Sequence, residues 1–235
     1  MRLLCLPPAG GSGRALAAAL RGVADTVPLE LPGRGTRRHE QPHRSWQEAT
    51  TDLADRVAEA VADGGEYALL GHSLGAALAY EIAHRLRATA PPAALVVIAR
   101  NPPHRPPERT ALHDEGASDR ELFDAVVALG GVSPRAAGPL TYRTFLPVLR
   151  ADLRLAADYR PSPPPVSSRL VVLHATGDAL TSAASMPGWA AYTTGCLHLH
   201  EVPGDHFFVM RGDPAVGSLI AESLAHHDCG VARAS

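Results

Sequence analysis

The stretch Gly71-His72-Ser73-Leu74-Gly75 constrains this chain more than any other, because the apolar run Tyr67-Ala68-Leu69-Leu70 precedes it and a helical run, Ala76 to Ala83, follows it. A strand, a sharp turn and a helix in that order form a nucleophile elbow of the α/β-hydrolase kind. The two glycines leave room for a tight strand-to-helix crossing, which lifts the Ser73 hydroxyl to the end of the sheet beside the positive end of the helix. A Gly-x-Ser-x-Gly string alone arises by chance in roughly one chain in ten of this length, so the reading rests on its setting between a strand and a helix. It makes the chain a candidate serine hydrolase or acyltransferase.

The rest of the sequence is consistent with a single α/β domain. Apolar runs bounded by Gly and Pro recur as Leu3–Leu6, Val27–Leu31, Tyr67–Leu70, Leu95–Ala99, Leu170–Leu173 and Leu197–Val202. Helical patterns at Ala15–Val23, Ser45–Ala62, Ser73–Leu86 and Pro214–His226 lie between or after them, and each is long enough to cross between parallel strands. This alternation predicts a doubly wound, mostly parallel sheet. With 235 residues, 46% of them hydrophobic, one core is expected. The domain is drawn over residues 1–229, with 230–235 as a flexible tail. From about residue 101 to 165 no strand candidate occurs. Helical stretches at Asp119–Leu129 and Pro139–Tyr159, flanked by Pro-rich segments, read there as an inserted lid over the C-terminal edge of the sheet.

Composition narrows the partners. A net charge of −2 with scattered Lys and Arg leaves no electrostatic footprint for nucleic acid or an anionic membrane. No segment has the length of a membrane span and the N-terminal apolar run is too short for a signal peptide, so a cytoplasmic monomer is the expectation. Cys5, Cys196 and Cys229 are unevenly placed and form no Cys-x-x-Cys pair, which points to neither a disulfide framework nor a zinc site.

A serine nucleophile needs a base, an acid and an oxyanion hole. In this fold they follow in the chain order Ser, Asp or Glu, His, on loops at the C-terminal ends of strands. The run Leu170–Leu173 leads into the Gly-bearing loop that carries Asp178, and Leu197–Val202 leads into Gly204-Asp205-His206. His206 is therefore the candidate base, and Asp178 the candidate acid that fixes the imidazole tautomer. Asp205 adjoins His206, and its side chain diverges on an extended segment, so it orients that ring poorly. His72 is read as scaffold, engaged in packing or a local hydrogen bond. For the oxyanion, Leu74 supplies one N–H, and the second comes from the glycine-rich loop Pro7 to Gly13, where Pro has no N–H and Ala9 or Gly10 must donate. The loop lacks the Lys of a phosphate-binding loop, and no metal or organic cofactor is required.

With those residues in place, the chain resembles the type II thioesterases that accompany polyketide synthases and nonribosomal peptide synthetases. The likeness runs through Leu6–Gly11, the segment Leu31-Pro32-Gly33-Arg34-Gly35-Thr36-Arg37-Arg38-His39-Glu40, the elbow, Leu146–Asp152 and Gly204–Phe208. It implies a triad of Ser73, Asp178 and His206, with Ala9 and Leu74 as oxyanion donors, and a substrate that is an acyl thioester on the phosphopantetheine arm of an acyl- or peptidyl-carrier protein. Arg34 is left without a catalytic role, since a buried structural ion pair explains it as well. Asp205 stands where the family often has a second glycine, and a carboxylate facing His206 would raise its pKa. Apolar lid positions Leu122, Phe123, Val126, Leu129, Phe145, Leu149 and Leu153 are expected to line an acyl channel. The competing readings are transfer of the acyl group from Ser73 to an alcohol or amine, and a non-catalytic acyl-carrier-binding protein on the same scaffold.

Overall fold

A computed structural model describes residues 1–105, 110–114, 116–162 and 165–225. Among these residues, six strands form one all-parallel sheet: β1 (Arg2–Leu6), β2 (Asp25–Pro28), β3 (Tyr67–His72), β4 (Ala94–Ile98), β5 (Arg169–Ala175) and β6 (Leu197–Val202), in the spatial order β2-β1-β3-β4-β5-β6. The α-helices among them are α1 (Gly13–Ala19), α2 (Trp46–Ala60), α3 (Leu74–Leu86), α4 (Asp119–Ala128), α5 (Pro139–Thr144), α6 (Leu146–Ala157) and α7 (Pro214–Ala225). The chain runs from β1 outward to β2 and then returns to place β3 on the other side of β1. The loops after β1 and β3 therefore emerge side by side at the switch point, where ligands bind in open parallel sheets.

Strand periodicity sorts the core into two layers. On β1 and β3, Leu4, Leu6 and Leu69 face the layer of α2 and α3, while Leu3, Cys5, Ala68 and Leu70 face that of α1 and α7. The central strands are buried on both faces, which is why they read as unbroken apolar runs. A third cluster, built on Leu122, Phe123, Val126, Leu146 and Leu149, gives the helices between β4 and β5 a small core of their own.

Several boundaries differ from expectation for local reasons. The helix expected over Pro139–Tyr159 is two helices, α5 and α6, meeting at Phe145. Pro147 breaks it, because it lacks the N–H that a continuous helix would bond to the Arg143 carbonyl, and it sits instead in the first turn of α6, where no such bond is needed. The second strand is Asp25–Pro28 rather than Val27–Leu31. It is the sheet's edge, where Pro28 is tolerated opposite Cys5. The first helix ends at Ala19 instead of Val23. A 3₁₀ segment, Ala183–Tyr192, has no counterpart among the expected elements, since Pro187 and Gly188 hide its periodicity. It buries Trp189 completely, with the indole N–H on the Arg100 carbonyl at 3.1 Å.

Cys5 is a free, buried strand residue. The expected tail and the end of the last helix lie outside the described residues. Among the described residues no helix is long and apolar enough to cross a membrane.

Candidate active site

Ser73 sits at the β3–α3 crossing with φ 55° and ψ −111°, a left-handed backbone that non-glycine residues rarely adopt. Its neighbours enforce that turn. A Cβ on Gly71 would lie 2.1 Å from the Gly75 carbonyl oxygen, and one on Gly75 would lie 2.2 Å from that of Leu6. The Ser73 N–H donates to Ile98 O at 2.9 Å, tying the elbow to β4. Ser73 stays partly exposed while both flanking residues are buried.

Asp178 and His206 leave the ends of β5 and β6 and meet. The His206 Nδ1–H points between both Asp178 carboxylate oxygens, at 2.9 Å from each, with both residues buried. Asp178 also accepts the Leu180 N–H and the Thr181 hydroxyl, each at 2.8 Å. Because the Thr181 hydroxyl donates to Asp178, it accepts from the His174 Nδ1–H at 2.9 Å. Burial opposes the Asp178 charge, but the bonds from His206, Leu180 and Thr181 outweigh it and the pKa is lowered. Thr181 and His174 escaped the sequence reading. The only signal was a hydroxyl three residues after the candidate acid.

Asp205 does not face the imidazole. Its carboxylate pairs with Arg211 and accepts the Phe207 N–H at 3.0 Å. His72 is a scaffold residue, but its hydrogen bond is not local: Nε2–H donates to the His206 carbonyl at 2.8 Å across the sheet. Burial pushes the His72 pKa down to about 3, so the ring is neutral when it holds the His206 loop.

Arg34 forms the buried ion pair allowed for above. Its guanidinium grips Asp152 of α6 with two bonds, 2.5 and 2.7 Å, at side-chain exposures of 8% and 2%. Asp152 Oδ2 also accepts the Gly10 N–H at 2.7 Å, and Arg34 donates to Gly11 O at 3.2 Å. One carboxylate thus ties the loop after β1 to a helix of the insertion. The same segment is braced further on by Arg37, bonded to Asp52 and Glu40.

That clamp also engages an N–H of the glycine-rich loop. The Gly10 N–H is taken by Asp152 and the Gly11 N–H by Pro8 O at 2.9 Å. The Ala9 and Leu74 N–H groups have no protein acceptor among the described residues, and both residues line the same cavity as Ser73 and His206. Leu74 stands at the first position of α3, where helix N–H groups lack intrahelical partners.

The cavity measures about 700 Å³ and runs under the inserted helices. Of the seven apolar insertion positions, Leu122, Val126, Leu129, Leu149 and Leu153 line it. Phe123 turns instead into the insertion's own core, edge-on to Tyr142 at 5.6 Å. Phe145 packs over Gly10, where a Cβ would meet its ring at 2.7 Å. Residues Arg100, Tyr159 and Leu180 complete much of the wall. Among the described residues no cluster of His, Cys, Asp and Glu is arranged to hold a metal ion.

Comparison with known proteins places this geometry. The sequence model of the thioesterase domain family matches residues 1–224. A probable cadicidin biosynthesis thioesterase of Streptomyces griseus is 32% identical over 237 residues, covering 95% of this chain. The chain spans 62% of that relative's own length. The RedJ thioesterase of the prodiginine pathway of Streptomyces coelicolor superposes with a TM-score of 0.80 at 33% identity, over 95% of this chain and 90% of that one. The type II thioesterase BorB from the borrelidin cluster gives 0.77 at 33% identity, over 95% and 92%.

Removing one partner of a buried ion pair strands the other and costs about 3–5 kcal/mol, whereas removing both leaves no uncompensated charge. Arg34→Met and Asp152→Leu should each lower the denaturation midpoint sharply in urea, and the double variant should lose less than the sum. Strict additivity would contradict the pairing. For His72, the unfolded ring titrates near 6.5 and the folded one near 3, so between them the unfolded state binds the extra proton. Stability is full above about pH 6.5 and declines as the pH falls toward 3. His72→Gln should flatten that decline in urea titrations, and an unchanged slope would remove His72 from the acid limb.

Proposed function

The chain belongs to the thioesterase family, and from that premise we propose that it is a serine thioesterase that hydrolyses acyl thioesters through an acyl-Ser73 intermediate. The observation that carries this reading is the His206–Asp178 pair opening on the cavity that also contains Ser73 at the elbow. In the first step His206 Nε2 takes the Ser73 proton as Oγ attacks the thioester carbonyl. Asp178 fixes the tautomer that leaves Nε2 free and stabilises the imidazolium. The Ala9 and Leu74 N–H groups receive the oxyanion. Collapse breaks the C–S bond, and the imidazolium protonates the departing thiolate. A water, deprotonated by His206, then attacks the acyl-serine carbonyl, and the acid leaves as Ser73 recovers its proton.

Hydrolysis fits better than transfer to an internal alcohol or amine, because the cavity wall includes several arginines along with its apolar patch and so does not exclude water. The relatives named above support a carrier-bound thioester as the substrate, delivered on a phosphopantetheine arm. For that arm to enter, the inserted helices act as a lid. The Arg34–Asp152 clamp holds α6 to the loop after β1, so the opening motion falls to α4 and α5.

Ser73→Ala should fold normally and lose all but a residual few per cent of thioester hydrolysis, read by mass spectrometry of acylated carrier domains before and after addition of the protein. Asp178→Asn should fold and fall by orders of magnitude in kcat through the wrong imidazole tautomer. Near-normal turnover in Ser73→Ala would refute the covalent route.

A further inference from the structure

Among the described residues, the cavity wall includes a cation, Arg100, that is paired with no carboxylate. Arg100 follows Ala99 at the end of β4, one strand over from the elbow, and lines the cavity that contains Ser73. Its guanidinium lies over the Tyr159 ring, 5.6 Å from the centroid, and Tyr159 is itself backed by Trp46 at 4.6 Å. No carboxylate acts on Arg100 among the described residues. Burial lowers its pKa and the Tyr159 phenol provides the only opposing influence. An arginine stays charged in a protein, so this half-buried guanidinium is partly withdrawn from water with no counter-charge among the described residues. The surroundings sharpen the point. Among the described residues the cavity wall includes Arg100, Arg105, Arg150, Arg154 and Arg160 against a single acidic side chain, Asp114. Of these, Arg150 is paired with Asp119 at 2.8 Å and Arg160 donates to the carbonyls of Ala157 and Tyr159.

We propose that Arg100 is a substrate-binding residue that receives a carboxylate carried by the acyl chain, so that the preferred substrate is a carboxyacyl thioester. This rests on the thioesterase reading and goes beyond it in naming the acyl class. A planar guanidinium takes a carboxylate through two parallel N–H bonds, a mode that a contact on an aromatic ring does not use up. The other anion on such a substrate, the phosphate of the arm, lies at the far end of the arm from the sulfur. Arg100 stands two residues beyond Ile98, whose carbonyl accepts the Ser73 N–H, so it leaves the sheet close to the serine that would carry the acyl group. The apolar wall formed by Leu122, Val126 and Leu149 then accommodates the methylenes between thioester and carboxylate.

The test compares kcat/KM for acyl pairs of equal length, propionyl with malonyl, butyryl with succinyl and valeryl with glutaryl, each on N-acetylcysteamine and on phosphopantetheine. The wild-type protein should favour the carboxylated member of at least one pair by about tenfold or more, the worth of a charged hydrogen-bonded pair, and on both thiols. Arg100→Met should bring that ratio to near one, and Arg100→Lys, which keeps the charge but loses the fork, should fall between. Arg100→Met should also keep or raise the thermal midpoint, because it removes an unpaired charge. Three results would overturn the proposal: no carboxylate preference in the wild type, a ratio unchanged in Arg100→Met, or a loss confined to the phosphopantetheine substrates, which would assign Arg100 to the arm's phosphate. A wild type that cleaves none of these thioesters would instead sink the thioesterase reading. In that case calorimetry of thioether analogues with and without the terminal carboxylate, on wild type and Arg100→Met, still decides what Arg100 binds.

Discussion

The β3–α3 crossing is the contact on which the arrangement depends. Backbone atoms of Gly71, Gly75 and Leu6 approach so closely there that a single added Cβ on either glycine would fall about two ångströms from a carbonyl. That approach forces Ser73 into a left-handed conformation, a state that costs a non-glycine residue about 1–3 kcal/mol and persists only where its surroundings over-determine it. Here they do: the Ser73 N–H is bonded to β4, and α3 is buried on nearly every face. The outcome is a serine in the cavity wall next to a helix N–H, that of Leu74, with no acceptor among the described residues. The approach of Gly75 to Leu6 also fixes the loop after β1 against the elbow, so that the Ala9 and Leu74 N–H groups share one site.

Two buried polar contacts extend that local constraint across the domain. Asp152 binds Arg34 and the Gly10 N–H with the same carboxylate, so α6 and the glycine-rich loop hold one another. Neutral His72 holds the His206 carbonyl from below, while Asp178 holds the ring of the same residue from the side. The histidine is thereby fixed at backbone and side chain by separate elements. Such double support holds a side chain in register without relying on a single loop.

Much of this was legible in the chain because it is written locally. The elbow is a contiguous string, and the loops carrying Asp178 and His206 announce themselves as glycine-bearing exits from apolar runs. Their order along the chain selected the pair that the structure finds hydrogen-bonded. What was not legible is long-range or directional. Nothing in periodicity links Arg34 to Asp152, which are separated by 118 positions, or tells that Asp205 turns to Arg211. An apolar helix position can face either the cavity or a neighbouring element: Val126 and Leu149 line the cavity, whereas Phe123 and Phe145 pack elsewhere. The Arg100 guanidinium gave no signal at all, since its interest lies in the absence of a carboxylate near it among the described residues.

The central claim, a covalent acyl-Ser73 intermediate, is tested most directly by rapid-quench mixing of the protein with an acyl phosphopantetheine thioester, followed by intact-mass and peptide analysis. The account predicts a burst of thiol release ahead of acid release, with an acyl mass increment that maps to Ser73 and is absent from Ser73→Ala. Release of thiol and acid in step, together with an increment on another residue or hydrolysis that survives in Ser73→Ala, would contradict it.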